Sequence, residues 1–296
     1  MILPKIIQPR THAPAVFAVF LCLLLQPSPG LSADTIEHTG WGSIRGQFLF
    51  EGEIPQRRVL IRKGSTTKDA EVCAAQTTYA DDLLIDSKSR GIANVVVYLK
   101  TLPPQRIHPE LRASKKRNQR LTVSGCRFQP HVLFVRTDQT LVFDSKDTSI
   151  QHAFAAHPLQ NLFPSYLVRP NEHELAFKQR EFCPFQVTCR IHSSMSAWVL
   201  VLDHPYQAIT SADGRFQIDR LPAGKHQFRI WHERVGYVQS KWTVEVAAEG
   251  VTTLEPLRLT LKQLTREKAV QGEQKTPSPQ DSARKQESKD EFIRPR

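Results

Sequence analysis

Three side chains that commonly bind metal ions stand in one short stretch of the sequence. Cys189, His192 and Met195 follow one another at intervals of three residues, between two apolar runs typical of β-strands. A thiolate, an imidazole and a thioether presented by one tight turn converge on a single ion with little freedom to rearrange. This ligand set suits copper in both of its oxidation states. Met195 is the only methionine after the initiator, which argues against a chance arrangement.

Such a site needs a second imidazole from a distant part of the chain. His152 follows a predicted strand at 140–143 and can supply it. A lone histidine or cysteine more often belongs to a surface or a core, so only the combination is informative. We therefore expect one copper ion bound by His152, Cys189 and His192, with Met195 as the weak axial ligand.

The surrounding pattern predicts an all-β protein. Apolar residues alternate with polar ones at a period of two, and no long amphipathic helix is evident. Short apolar runs separated by glycine and proline turns are typical of sandwiches and barrels. Asp213-Gly214 predicts a hairpin turn. The predicted strands are 44–50, 94–99, 121–123, 132–135, 140–143, 185–189, 197–202, 216–218, 228–230 and 257–261.

Residues 119–203 resemble a plastocyanin-type cupredoxin, and the 189–195 loop is similar to the short ligand loop of amicyanin. This resemblance implies a Greek-key sandwich with a type 1 copper ion that shuttles single electrons. Because His192 comes from the ligand loop, we expect it to lie near solvent and to serve as the electron exit. One departure is Ala153, where the family commonly has an asparagine that ties the ligand loops together. The motifs that carry the resemblance are Leu121-Thr-Val, Phe128-Gln-Pro130, Val132-Leu-Phe-Val135, Gln139-Thr-Leu-Val-Phe143, His152 and Cys189-x-x-His192-x-x-Met195.

A second resemblance covers the flanking segments. Residues 210–228, together with 44–55 and 93–99, look like the two halves of a carboxypeptidase regulatory-like domain, a transthyretin-like sandwich. That family implies a scaffold rather than catalysis, and the combination resembles exported methylamine-utilization-type cupredoxin proteins. Consecutive β-domains without insertion are the alternative. The expected organisation is a signal peptide at 1–33, the first half of the transthyretin-like sandwich at 41–103, the cupredoxin domain at 104–203, the second half at 204–262 and a disordered tail at 263–296.

The N-terminus predicts export. Lys5 and Arg10 precede an apolar run at 13–25, and no acidic residue occurs before Asp34. This is the pattern of a signal peptide, which we expect to be cleaved near Ala33. The run is too short for a permanent membrane-spanning helix, although an uncleaved anchor is the alternative. We expect a periplasmic or cell-surface protein with no transmembrane segment in its mature form.

Export permits disulfides. Four cysteines remain after processing, and the metal takes Cys189 in this interpretation. Cys73 and Cys126 are then the expected disulfide pair, which leaves Cys183 unpaired.

The chain is basic, with a formal net charge of +11. An exported protein rarely meets nucleic acid, so an acidic redox partner or an anionic surface is the more plausible counterpart, with an ordinary solvated loop as the alternative. The basic cluster consists of Arg106, Arg112, Lys115, Lys116, Arg117 and Arg120.

The expected function is therefore single-electron transfer without enzymatic activity. A copper carrier or sensor and a metal-free structural or surface-binding module are the alternatives. Cys189 and His192 are too close in one loop for a nucleophile and its base, which disfavours a cysteine hydrolase. Residues 231–233 could suggest a metal pair, but we expect an exposed loop there.

Overall fold

The computed structural model describes residues 40–163, 166–168 and 173–265. The predicted signal peptide lies outside the described residues. Within the described part of the chain, no helix is long and apolar enough to cross a membrane. The all-β prediction is confirmed: strands dominate, and the helical elements described are the single turn α1 (Ala70–Cys73) and two 3-10 turns, Pro104–Arg106 and Pro109–Leu111.

The strands follow the predicted apolar runs, with additional ones between them, of which Gly236–Val246 spans 11 residues that the sequence prediction missed. In chain order they are β1 (Trp41–Glu51), β2 (Val59–Ile61), β3 (Thr78–Tyr79), β4 (Val96–Leu99), β5 (Asn118–Val123), β6 (Phe128–Gln129), β7 (Val132–Arg136), β8 (Thr140–Ser145), β9 (His152–Ala156), β10 (Tyr166–Val168), β11 (His173–Ala176), β12 (Phe185–Cys189), β13 (Ser196–Leu202), β14 (Gln207–Ile209), β15 (Arg215–Pro222), β16 (Gly224–His232), β17 (Gly236–Val246), β18 (Val251–Thr253) and β19 (Leu257–Thr260).

The central strands form a sandwich of two sheets, which we call the central sandwich. One sheet has the order β10-β9-β12-β13-β7 and the other the order β11-β8-β5-β6. Alternate residues of β12, namely Phe185, Val187 and Cys189, are buried in the core between the sheets, whereas Gln186 is exposed. The period-two pattern thus directs the Cys189 side chain into the sandwich at the end of its strand.

The flanking strands form the second sandwich. Strand β1 pairs with β15, β18 and β19, and β4 pairs with β14 and β16, which in turn pairs with β17. Segments on both sides of the central sandwich in sequence therefore share the same sheets. The predicted turn at Asp213-Gly214 is present. Gly214 has φ +78°, and a Cβ there would lie 2.1 Å from the carbonyl oxygen of Phe48, so this close crossing requires glycine.

The two sandwiches share an apolar contact between β7 and β13 on one side and β4 and β16 on the other. Its buried residues are Val96, Tyr98, Val132, Leu200, Leu202 and Trp231. The Glu233 carboxylate accepts hydrogen bonds from His131 Nε2 (2.5 Å) and Trp198 Nε1 (2.9 Å) across this contact. The expectation of an exposed loop at 231–233 is wrong, because Trp231 and His232 belong to β16 and are buried here.

Residues 59–79, which contain β2, α1 and β3, form an excursion between β1 and β4 that we call the cap. Ile61, Cys73 and Ala74 of the cap are buried in the core of the central sandwich. Cys73 is joined by a disulfide to Cys126, in the turn between β5 and β6, with Cα atoms 5.1 Å apart. This is the pair expected from the sequence, and it fastens the cap to the central sandwich.

The predicted disordered tail starts slightly too early at 263. Leu264 is fully buried in the core of the second sandwich, and its N–H donates to the carbonyl oxygen of Thr260 at 3.2 Å. Leu264 packs into this core because it lies only four residues after the end of the last strand, β19 (Leu257–Thr260). Residues 266–296 lie outside the described part of the chain.

Candidate metal centre

Sheet pairing brings two distant parts of the chain together at one end of the central sandwich. Strand β9 begins at His152 and runs antiparallel to β12, which ends at Cys189, with Cys189 opposite Phe154. The turn after β12 is closed by a hydrogen bond from Met195 N to the His192 carbonyl oxygen, at 3.1 Å. Both strand ends therefore point their polar side chains at the same place.

The resulting distances are those of ligands around one ion. Cys189 Sγ lies 3.9 Å from His152 Nδ1 and 3.6 Å from His192 Nδ1, and one ligand atom from each of the three residues lies within 4.8 Å of the others. For a first-row metal ion about 2.3 Å from sulfur and about 2.0 Å from nitrogen, ligands about 120° apart are separated by about 3.7 Å. Met195 is buried in the same core. The thiolate of Cys189 and the two imidazoles thus have a spacing that fits a metal ion.

Each imidazole is oriented by a carboxylate on its far side. His152 Nε2 lies 3.1 Å from Asp147 Oδ2, and His192 Nε2 lies 2.9 Å from Asp69 Oδ2. An N–H donated to a carboxylate fixes the tautomer and leaves Nδ1 as the free lone pair, as in carboxylate–histidine–metal arrangements. Burial, followed by the charge of His192, lowers the pKa of His152. This favours the neutral form that binds metals.

Asp69 occupies an unusual position for its role. It is the residue before α1, where aspartate normally accepts a hydrogen bond from the helix backbone. Here its backbone has φ 54° and ψ 48°, and its side chain makes no capping hydrogen bond. A left-handed conformation costs energy in a residue other than glycine. The carboxylate is directed to His192 instead, so the local strain coincides with support of a ligand.

Asp147 connects the other imidazole to the disulfide. Its Oδ1 accepts from the Gly125 N–H at 2.7 Å, and its Oδ2 accepts from the Cys126 N–H at 2.9 Å as well as from His152. The turn that carries Cys126 is therefore held by the same carboxylate that orients His152.

The structure differs from the expectation that His192 lies near solvent. The residue is only 5% exposed, because Asp69 and the cap cover its Nε2 edge. The cap comes from a part of the chain 123 residues earlier, so the local sequence around His192 held no sign of it.

Ala153 proves compatible with linked ligand loops. Its carbonyl oxygen accepts a hydrogen bond from the Arg190 N–H at 2.8 Å, directly after Cys189. This backbone hydrogen bond links the His152 strand to the ligand turn, although the asparagine that commonly makes such a link in the family is replaced by Ala153.

Sequence reasoning did not identify the two supporting carboxylates. Asp147 stands five residues before His152, and this proximity was the one usable signal. Nothing in the sequence linked Asp69 to His192. Cys183 is a free, half-buried cysteine outside the cluster, and burial raises the pKa of its thiol.

No protein-family model and no curated protein matches the chain. Solved structures similar to it include the copper-containing nitrite reductase of Thermus scotoductus SA-01, at 17% identity and a TM-score of 0.24, with 33% of this chain and 26% of that chain covered. The chain thus spans about a quarter of that enzyme.

A purple cupredoxin from Nitrosopumilus maritimus matches at 18% identity and a TM-score of 0.22, covering 25% of this chain and 80% of its own. An oxidized mutant of amicyanin matches at 12% identity and a TM-score of 0.23, covering 28% of this chain and 79% of its own. The structural neighbours are therefore cupredoxins, matched over a part of this all-β chain.

Proposed function

We propose that the protein is an exported type 1 copper protein that transfers single electrons and has no enzymatic activity of its own. The observation that carries this proposal is the meeting of Cys189 Sγ with the Nδ1 atoms of His152 and His192 at 3.9 and 3.6 Å. A thiolate with two imidazoles and a weak thioether is the ligand set of blue-copper electron-transfer sites.

The copper ion, when bound, supplies a one-electron couple between Cu(I) and Cu(II). Cys189 would hold the ion through its thiolate, His152 and His192 through their imidazoles, and Met195 through its weak thioether. The surrounding residues hold these side chains in place without metal: Asp147 and Asp69 fix the imidazoles, and the buried core excludes water from Cys189. A preformed ligand set of this kind needs little rearrangement when the charge on the ion changes.

A visible spectrum tests this proposal. Adding Cu(II) to the metal-free protein should give an intense sulfur-to-copper charge-transfer band and one copper per chain. Cys189→Ser should abolish the band, whereas Cys183→Ser, which changes the other free cysteine, should leave it unchanged. A colourless copper complex of the wild-type protein would overturn the type 1 assignment.

A copper carrier or sensor is the second candidate, and one observation favours it. His192 is buried beneath the cap, so its ring edge is not open to a redox partner. The electron self-exchange rate distinguishes the two functions: an electron-transfer protein should show a reversible couple with fast self-exchange, and a carrier should not.

We further propose that the second sandwich is a transthyretin-like scaffold into which the cupredoxin is inserted. In support, β1 and β4 pair with strands that follow residue 206. The proposed location is the periplasm or cell surface, and the proposed partner is an acidic redox protein. All members of the basic cluster (Arg106, Arg112, Lys115, Lys116, Arg117 and Arg120) are exposed, as such docking requires.

A further inference from the structure

A second group of potential metal ligands lies beside the first. One ligand atom from each of Cys73, Cys126 and His192 lies within 4.8 Å of the others, and all three residues are buried. His192 belongs to both groups, because it also faces Cys189. The disulfide therefore abuts a ligand of the candidate metal centre and is more than a fastening for the cap.

We propose that reduction of the Cys73–Cys126 disulfide creates a second copper site, formed by Cys73, Cys126 and His192, which loads Cu(I) into the centre formed by His152, Cys189 and His192. This inference rests on the proposed function, since it takes the inner centre to be a copper site. Two soft thiolates and an imidazole are ligands that select Cu(I).

The redox step is an ordinary thiol–disulfide exchange. A dithiol partner attacks the disulfide, the Cys73–Cys126 sulfur–sulfur bond breaks, and two electrons and two protons pass to the two cysteines. The partner is left with a disulfide of its own. Thiol–disulfide exchange with a disulfide of the partner reverses this step and re-forms the Cys73–Cys126 bond. The outer thiolates are then lost, and the inner centre is the site that holds the ion.

The shared imidazole makes the two sites alternatives. A neutral imidazole has one unprotonated nitrogen, so His192 serves one site at a time. The ion passes inward by exchange of ligands, as the outer thiolates are replaced by Cys189 and His152. Because the two sites share a residue, this exchange needs no release of Cu(I) into solvent.

The surroundings of the disulfide permit access and movement. Cys73 lies on the wall of a cavity of about 270 Å³ that is lined largely by polar residues such as Gln76, Thr77 and Ser124. The helix that carries Cys73 is only one turn long, and a helix this short gains little stability of its own. Both ends of the disulfide also adjoin the ligand supports. Asp69 immediately precedes the Cys73 helix, and the Asp147 carboxylate accepts from the Cys126 N–H.

Cu(I) competition with bicinchoninate tests the outer site by itself. The experiment uses the full chain with Cys183→Ser and Cys189→Ser, so that the inner thiolate and the other free thiol are both absent. The disulfide is first reduced, and the reductant is then removed in the absence of oxygen. We expect the reduced form to bind Cu(I) at least roughly 100-fold more tightly than the disulfide form does. This expectation follows because loss of outer-shell partners alone lowers metal affinity by about 10–100-fold. Equal affinities in the two forms would overturn the proposal.

A third substitution distinguishes a defined metal site that includes His192 from two thiols that bind Cu(I) without it. His192→Ala in the same background should lower the Cu(I) affinity of the reduced form, and X-ray absorption of the parent should show two sulfur ligands and one nitrogen. If the reduced chain simply unfolds, its thiols will bind Cu(I) equally with or without His192, and the proposal fails. The visible band that tests the inner centre requires Cys189, so failure of that proposal is seen separately in the disulfide-bonded wild type.

Discussion

Asp69 Oδ2 lies 2.9 Å from His192 Nε2, although 123 positions separate the two residues in the chain. The hydrogen bond crosses from the cap to the ligand turn of the central sandwich. It orients the imidazole and places a carboxylate, only partly exposed to water, directly behind a ligand of the candidate metal centre. Because this charge is held at short range and partly shielded from solvent, it should influence both metal binding and reduction potential.

We expect Asp69→Asn to raise the reduction potential of the copper-loaded protein and to weaken copper binding by about 10–100-fold. Removing a nearby negative charge disfavours Cu(II) relative to Cu(I), which moves the potential upwards. Voltammetry and chelator competition measure the two effects. Glu71→Gln, an exposed carboxylate on the same helical turn, is the matched control. Equal potentials in the Asp69 variant and the wild type would show that this carboxylate does not act on the metal.

Asp147→Ala should destabilise the fold even without metal. The substitution removes the acceptor for the N–H groups of Gly125 and Cys126 and for His152 Nε2. Cys126 and His152 are buried, and each of them left unpaired costs roughly 1–3 kcal/mol. Urea unfolding of the metal-free, disulfide-bonded protein measures the loss. Asp144→Ala provides the comparison, because its ion pair with the partly exposed Arg120 should contribute at most about 1 kcal/mol. Similar losses in both variants would contradict the role assigned to Asp147.

The two carboxylates also show how far the sequence could lead. Period-two alternation predicted the strand that ends at Cys189, since burial of one sheet face dictates that pattern. The strand β9, which begins at His152, was not predicted. The spacing of Cys189, His192 and Met195 identified a turn able to present three donors, and the structure places Cys189 Sγ beside the His192 imidazole. Asp69 could not be found this way. Its carboxylate reaches the site only because the cap folds back over the sandwich, a long-range contact with no periodic signal.

The prediction of an exposed loop at 231–233 was wrong for a related reason. The local sequence at 231–233 indicated an exposed loop. In the structure, the second sandwich packs against the central one at this place. Glu233 finds two donors there, His131 and Trp198, both from the other sandwich. Contacts between sandwiches are decided by surfaces that the sequence pattern of a single strand does not reveal.

Glu233→Ala should therefore loosen the contact between the sandwiches. Burial lowers the pKa of His131, but the hydrogen bond with Glu233, the charge of Glu233 and the charge of Asp81 together outweigh it and leave that pKa raised. Loss of the carboxylate leaves His131 and Trp198, which are both partly buried, without their acceptor, at up to roughly 1–3 kcal/mol for each group. Denaturant unfolding and the near-ultraviolet circular dichroism of the tryptophans should both change. Glu245→Ala, at an exposed position of β17, should change neither, and an intact tryptophan signal in the Glu233 variant would contradict the prediction.

Two buried histidines of the second sandwich should make the protein sensitive to acid. Burial lowers the pKa values of His204 and His232 from 6.5 to about 4. Both rings are used in their neutral form: His204 Nδ1 accepts from the Tyr206 N–H at 3.2 Å, and His232 Nδ1 accepts from the Arg234 N–H at 3.4 Å. A protonated ring nitrogen could accept neither bond, so the folded state resists protonation.

The sign of the pH dependence follows from proton counting. Between about pH 6.5 and pH 4 the unfolded chain binds a proton at each of these histidines, while the folded chain does not. The free energy of unfolding must therefore fall as the pH falls through this window, by up to about 1.4 kcal/mol per pH unit for each histidine. Urea unfolding at pH 7 and pH 5 measures the difference. His232→Gln should reduce it, whatever its effect at pH 7, and His157→Gln at an exposed position should not. An unchanged pH dependence in the His232 variant would show that the ring is protonated in the folded protein.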